Sequence, residues 1–408
     1  MFNKHPKMFQ DPQIEYPIYD LNLDFADYIT KSKKIITDYR VDLNKGADLI
    51  INANTPFELR PEHPQFSVKD PHKIKYGALL VHGLLDTPFI MKDIGKHLQS
   101  QGLLVRSIIL PGHATVPGSL LNVKYEDWLQ AVRYGIASLS KDVEAIFLVG
   151  FSTGASLNLL HTLQNPSQIA GMIMLAPAYK INSSFDFLTN WHHAISWKWP
   201  RAQWLYISEE MDYTKYCSIA FNAVYQVYRL TQAIKKIDHT REPPCPLFMV
   251  LSYDDLIVNS EASIRNFQGY THPHNKMILY IHDLHKFNDS RIISRKAAYP
   301  EWNITSFSHI SLPSSPDNPH YGKHGDYPLA SHIDAKNHYL FCSLDKPQKL
   351  FFDLLYKLKL TRYQRQRLTF NPDFEFLVDA LSQFIKKSAT KNEVISTNIN
   401  PSVNHLVD

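Results

Sequence analysis

Cysteine is scarce in this chain, and what there is lies scattered: Cys217, Cys245 and Cys342 are the only three in 408 residues. They show neither metal-ligand spacing nor the density of a disulfide framework, so reduced thiols are expected. Long apolar runs are missing too, and no window approaches the length that a membrane-spanning helix needs. Met1–Gln10 is polar and has no apolar stretch, so no secretory signal is expected and the cytoplasm is the default address.

An excess of one charge is also absent. The 43 Lys and Arg stand against 39 Asp and Glu, a formal net charge of +4 with His neutral. A nucleic-acid partner would call for a basic stripe. Lys31-Ser32-Lys33-Lys34 and Lys386-Lys387 are too short for one and read as solvated faces. No internal repeat is present. With 44% hydrophobic and 20% charged residues, the composition fits a globular chain with a large core. The length suits one large α/β domain with insertions or two smaller domains.

The most telling stretch is Gly150-Phe151-Ser152-Thr153-Gly154. It follows the apolar run Ala145–Val149 and precedes the helical pattern Ala155–Leu163. Strand, tight turn and helix with a serine at the apex define a nucleophile elbow. Small residues on either side of the serine let the strand and helix backbones approach closely.

The surrounding pattern supplies a sheet for that elbow. Tyr76–Val81 reads as a strand buried on both faces. A helix near Phe89–Gln101, a strand near Leu103–Leu110, a helix over Tyr125–Leu139 and a strand over Gly171–Ala176 follow. Such alternation gives a mostly parallel central sheet with helices on both faces. The rhythm stops from Tyr179 to Pro243 and resumes with strands at Pro246–Leu251 and Lys276–Ile281. The expected organisation is an N-terminal extension over 1–74, core over 75–178, an inserted helical cap over 179–243 and core again over 244–312. A long loop and C-terminal helices, patterned at Pro347–Leu358 and Asp373–Lys387, fill 313–387, and 388–408 reads as a polar tail. In the extension, Tyr19–Tyr39 carries a helical pattern and Asn52–Pro64 reads as extended or turn-rich. The cap's apolar stripe is Ile219, Ala223, Val227 and Leu230, with Trp191, Trp197, Trp199, Trp204, Phe221, Val224 and Tyr225 as further apolar surface.

A serine nucleophile needs a base, and the base an orienting acid, in the order Ser, Asp or Glu, His. After the strand Pro246–Leu251 stand Asp254 and Asp255, at the sheet edge where the elbow lies. Asp255 is favoured over Asp254, because Ile257-Val258 would fix its loop. His282, His285 and His309 follow the last strand. His309, in the loop Thr305–Pro313 with apolar anchors, is favoured, and His285 reads as a polar surface residue. An oxyanion hole needs backbone N–H groups aimed at the developing alkoxide. Thr153, after the serine, and Leu84, in Val81-His82-Gly83-Leu84-Leu85-Asp86-Thr87-Pro88, are the candidate donors.

These residues resemble the bacterial α/β-hydrolase esterases and monoacylglycerol-lipase-like proteins. The likeness spans about residues 53–312 and is carried by Asn54–Leu59, Leu80–Pro88, Leu110–Gly118, Gly150–Gly154, Asp255–Val258 and Ser308–Ile310. It implies Ser152 as nucleophile, Asp255 as acid, His309 as base, and Leu84 and Thr153 as oxyanion donors. It also implies a cap after the fifth core strand. The family's Gly-His-Gly turn stands here as Gly112-His113-Ala114. The implied activity is cleavage of short- to medium-chain carboxylic esters or monoacylglycerols, with no metal and no organic cofactor. The substrate is a small ester with an apolar acyl group.

Two other readings stand beside it. A proline-type aminopeptidase would need an acidic grip on the substrate amine, for which Glu209, Glu210 and Asp212 are available. A non-catalytic binding protein on the same fold would need the triad not to assemble. His320, His324, His332 and His338 fall in an irregular loop without metal spacing, so no metal site is expected there.

Overall fold

The computed structural model describes residues 6–43, 46–165, 169–180, 200–238, 241–327, 339–343, 355, 357–359 and 364–397. In chain order its helices and strands begin with α1 (Phe25–Tyr39), α2 (Ala47–Asn54), β1 (Phe57–Leu59), β2 (Ile74–Val81), α3 (Lys92–Ser100) and β3 (Leu104–Ile108). Next come α4 (Tyr125–Leu139), β4 (Val143–Phe151), α5 (Thr153–Gln164), β5 (Ile169–Leu175), β6 (Trp204–Tyr206), β7 (Ile219–Ala220) and α6 (Phe221–Asp238). The chain continues with β8 (Leu247–Ser252), α7 (Ser260–Gly269), β9 (Lys276–Ile281), β10 (Ile292–Lys296), β11 (Tyr339–Cys342), β12 (Gln364–Arg367) and α8 (Phe374–Thr397).

Eight strands form one sheet in the order β1-β3-β2-β4-β5-β8-β9-β10. β1 runs antiparallel to β3, and the other neighbours are parallel. Its central strands are nearly continuous apolar runs because helices cover both faces. Leu79, Leu80, Val81, Leu148, Val149, Met174 and Val250 are fully buried. On one face α4, α5 and α6 pack against one another, and on the other α3 meets α8. The sheet is therefore the expected mostly parallel one.

The segment ahead of β2 joins the same core. Phe25, Tyr28 and Ile36 of α1 are buried with the sheet residues. The Tyr28 hydroxyl accepts from the Ile109 N–H at 3.1 Å. Arg106, buried on β3, is held by Glu58 and Asp142, each at 2.7 Å, and lies over the Phe25 ring.

Several local expectations differ from what is observed. Asn52–Asn54, read as extended, closes α2, and the extended part is β1. The stretch after Tyr179 contains an antiparallel pair, β6 with β7. The inserted helical region is present in α6, and its apolar stripe is buried against neighbouring helices. Ala223, Val227, Leu230 and Ile234 are buried, and α6 packs against α5 and α4. Ile219 lies in β7, ahead of that helix. The loop over 313–345 includes β11, which pairs in parallel with β12. The last helix runs on past Lys387 to Thr397, where a polar tail is expected. Trp191, Trp197 and Trp199 lie outside the described residues, as does most of the helical pattern Pro347–Leu358.

Candidate active site

The elbow is built by close backbone contact. A Cβ on Gly150 would stand 2.4 Å from the Ala155 Cα, and one on Gly154 would stand 2.2 Å from the Val81 carbonyl oxygen. Only glycine lets β4, α5 and β2 meet this closely. Ser152 between them holds φ +54°, ψ −114°, a strained conformation for a residue with a side chain. Such a conformation costs about 1–3 kcal/mol and persists only where its surroundings over-determine it. Here the Ser152 N–H donates to the Leu175 carbonyl at 2.8 Å, and its carbonyl accepts from the Ser156 N–H at 3.2 Å.

The parallel register brings the other groups to the same edge. β2 and β4 pair Val81 with Gly150, so the loop after β2 opens beside Ser152. β8 lies one strand beyond β5, and Asp255 follows its carboxyl end. The His309 Nε2 lies 2.8 Å from the Ser152 Oγ, and its Nδ1 lies 2.6 Å from the Asp255 Oδ2. All three residues are buried. Because the carboxylate only accepts, Nδ1 carries the proton and Nε2 faces the serine hydroxyl as an acceptor.

Asp255 is fixed by its own loop. Its Oδ1 accepts from the Ile257 N–H at 2.8 Å and the Val258 N–H at 3.1 Å. The two residues hold it through their backbone, for Val258 is buried while Ile257 is largely exposed. The His309 loop is pinned by the Ser252 hydroxyl on the Phe307 carbonyl at 2.9 Å and the Ser308 hydroxyl on the Leu368 carbonyl. The alternative candidates fall elsewhere. Asp254 lies 3.2 Å from the His282 Nε2, and His285 is exposed.

The Thr153 N–H opens α5, where the first N–H groups have no partner within the helix. Leu84 sits in the loop after β2. That loop rests on two buried histidines. The His82 Nε2 accepts from the Leu110 N–H at 3.0 Å, so its Nδ1 carries the proton and donates to the Gly83 carbonyl at 2.8 Å. Burial pulls the His82 pKa down to about 4, keeping it neutral. Burial, with His82 alongside, takes His113 to about 3. Ala114, after it, holds φ +64°, a left-handed conformation in which glycine would be unstrained.

Of the remaining acidic candidates, Asp212 and Glu210 are engaged within the protein and Glu209 is exposed. Asp212 is buried and accepts from the Thr214 N–H, the Tyr321 hydroxyl and the His320 Nε2. The Glu210 carboxylate accepts from the Cys217 and Ser218 N–H groups at 2.6 and 2.7 Å. Among the described residues no group of three or more His, Cys, Asp or Glu is placed to hold a metal ion. His324 is exposed, and His332 and His338 lie outside the described residues. The linkage of His320 to Asp212 escapes sequence reasoning, since 108 positions separate them and neither stands in a recognisable motif.

Fold and site together define an α/β-hydrolase. The family profile described as Hydrolase_4, serine aminopeptidase S33, matches residues 73–289, more than half of the chain, and the protein belongs to this family. The chain is 30% identical over 105 residues to a thermostable monoacylglycerol lipase of Bacillus sp. (strain H-257). That stretch is 26% of this chain and 42% of the lipase, so less than half of the relative is spanned. Among solved structures it is similar to a metagenome-derived lipolytic enzyme of the LipS and LipT work, with 17% identity and a TM-score of 0.46. The match covers 55% of this chain and 86% of that one. It is also similar to the monoacylglycerol lipase of Paleococcus ferrophilus, with 19% identity and a TM-score of 0.45, covering 60% and 92% of the two chains. Membership in this hydrolase family supports hydrolase activity in general. Among the described residues, no helix is long and apolar enough to cross a membrane.

Proposed function

We propose that the protein is a carboxylic ester hydrolase acting through Ser152, His309 and Asp255 and an acyl-enzyme intermediate. The observation that carries this reading is the hydrogen-bond chain from Asp255 through His309 to Ser152 at the tip of the elbow. His309 takes the serine proton as Oγ attacks the ester carbonyl. The Leu84 and Thr153 N–H groups receive the oxyanion, and one such donor is worth about 2.7–4 kcal/mol in comparable sites. His309 then protonates the departing alcohol, activates a water and returns the proton as the acid leaves. Asp255 holds the imidazole tautomer and stabilises its charge.

The proposed substrate is a short- to medium-chain ester or a monoacylglycerol. The Bacillus relative is a monoacylglycerol lipase, and the half-buried Leu84 and Leu85 follow Gly83, on which a Cβ would stand 3.2 Å from the Ser152 Cβ. Of the three acids that an aminopeptidase could use as a grip, Asp212 and Glu210 are already hydrogen-bonded, which leaves the exposed Glu209 alone. The test is hydrolysis of p-nitrophenyl esters against aminoacyl-arylamides. The ester reading expects turnover of the esters and none of the arylamides, and the reverse result would overturn it.

A further inference from the structure

A second buried cluster lies against the loop that carries Leu84, and the ester-hydrolase reading does not use it. His320 is 1% exposed and stands between two carboxylates of different segments. Its Nε2 is 3.0 Å from the Asp212 Oδ1, and its Nδ1 is hydrogen-bonded to the Asp326 Oδ1. A carboxylate only accepts, so both nitrogens carry protons and the ring is an imidazolium.

Its surroundings suit a cation. The Tyr213 ring centroid is 4.2 Å away, Tyr321 4.6 Å, Tyr327 5.4 Å and Phe89 5.9 Å. A ring favours a positive charge placed over its face, and these rings meet the imidazole tilted or edge-on, so the charge rests on the two carboxylates. The groups facing it are Asp212 and Tyr213 from the stretch before β7, Asp326, Tyr321 and Tyr327 from its own loop, and Phe89 from the turn before α3. Lys215 acts on Asp212, and Asp86 acts on Tyr321, one step further out. Burial works against the charge. The hydrogen bonds and charges of Asp212 and Asp326 outweigh it and raise the His320 pKa above its usual value.

The stretch that His320 holds is the one that grips the loop after β2. The Lys215 ammonium is 3.1 Å from the Asp86 carboxylate, and the Tyr216 N–H donates to the Leu85 carbonyl at 2.9 Å. Leu85 itself holds φ +70°, a left-handed conformation strained for a leucine. A strained residue stays put only when its neighbours fix it. It directly follows Leu84, the proposed oxyanion donor.

We propose that His320 is a positioning residue, a buried cationic tie between Asp212 and Asp326 that holds Leu84–Asp86 in the geometry the oxyanion requires. The catalytic part of this inference rests on the ester-hydrolase reading, whereas the brace itself does not.

The test compares wild type with His320→Gln and with Asp326→Asn, whose side chain is half exposed and whose change is the gentler for folding. Amide hydrogen exchange over 83–89 reads the brace directly, and p-nitrophenyl ester kinetics against pH read its consequence. His320→Gln is expected to exchange faster over 83–89 and to lose about tenfold to a hundredfold in kcat, the scale of a small misplacement, with KM little changed. Wild type is expected to lose activity at alkaline pH as His320 gives up its proton. That limb should vanish in His320→Gln and move to lower pH in Asp326→Asn, which loses one of the two carboxylates. Exchange over 83–89 equal to wild type in both variants, or an alkaline limb that neither variant moves, overturns the inference. A wild-type protein with no esterase activity removes the functional reading instead, and the exchange comparison alone then decides the brace.

Discussion

Gly154 lies directly beneath the main chain of His82: a Cβ on it would stand 2.5 Å from the His82 carbonyl oxygen. The first turn of α5 and the end of β2 are thereby held against each other. The Thr153 N–H belongs to the first of these and the Leu84 N–H to the loop that follows the second, so their separation depends on this contact.

Gly154→Ala is expected to force α5 away from β2. Overpacking of this kind costs about 1–3 kcal/mol. The variant should show a lower midpoint in thermal or urea unfolding, and a larger proportional loss in kcat than in KM. An unfolding midpoint equal to wild type would show that the contact yields freely.

His309→Ala and His285→Ala should separate cleanly. His309 bonds both Ser152 and Asp255, while His285 is exposed. Loss of the base should cut kcat by several orders of magnitude, and the His285 change should leave it near wild type. In the same way Asp255→Asn should lower kcat by about 10⁴-fold through the wrong tautomer. Asp254→Asn should not. Comparing kcat/KM across the four variants checks the assignment.

The strand–elbow–helix and the acid and base loops were legible because each is a local pattern: glycines about a serine, an acid after a strand, a histidine among apolar anchors. The helix α6 was legible as an apolar stripe, but its partner was not. Periodicity says that Ala223, Val227 and Leu230 share a face, and says nothing of whether that face meets α5 or a ligand. The tie between Asp212 and His320 was illegible for a related reason. Its members come from separate segments, and their chemistry exists only once the loop over 318–327 lies against the stretch before β7. Even there part of the signal is present, for Asp212 stands among the candidates for an amine grip and His320 among the histidines that lack metal spacing.

Stability should fall on acidification well above the carboxylate range. His82 and His113 are buried and neutral, with pKa values of about 4 and about 3 against 6.5 unfolded. Between those values the unfolded chain binds protons that the folded one refuses, so stability is lost as pH drops below 6.5. At about 1.4 kcal/mol per pKa unit, His82 contributes about 3 kcal/mol and His113 about 5 kcal/mol to that loss once pH is below the folded value. His320 has the opposite sign: its raised pKa gives stability that is full below 6.5 and lost as pH rises through the folded value. Thermal midpoints measured across pH check both limbs. His113→Asn should flatten the acid one, and an unchanged acid slope would contradict the assignment.

Acyl selectivity should be graded rather than absolute, because an apolar site discriminates by only about 1–3 kcal/mol per methylene. A kcat/KM series from acetate to palmitate esters is expected to peak at medium chains. A sharp preference for acetate would exclude an extended acyl site beside Leu84 and Leu85.

The central claim is that Ser152 is an activated nucleophile, and a fluorophosphonate label followed by peptide mapping tests it most directly. Label on Ser152 in wild type, none in a folded Ser152→Ala variant and greatly slowed labelling in His309→Ala is the predicted result. Wild-type protein that stays unlabelled, or that carries the label on another residue while Ser152→Ala still reacts, would contradict the account.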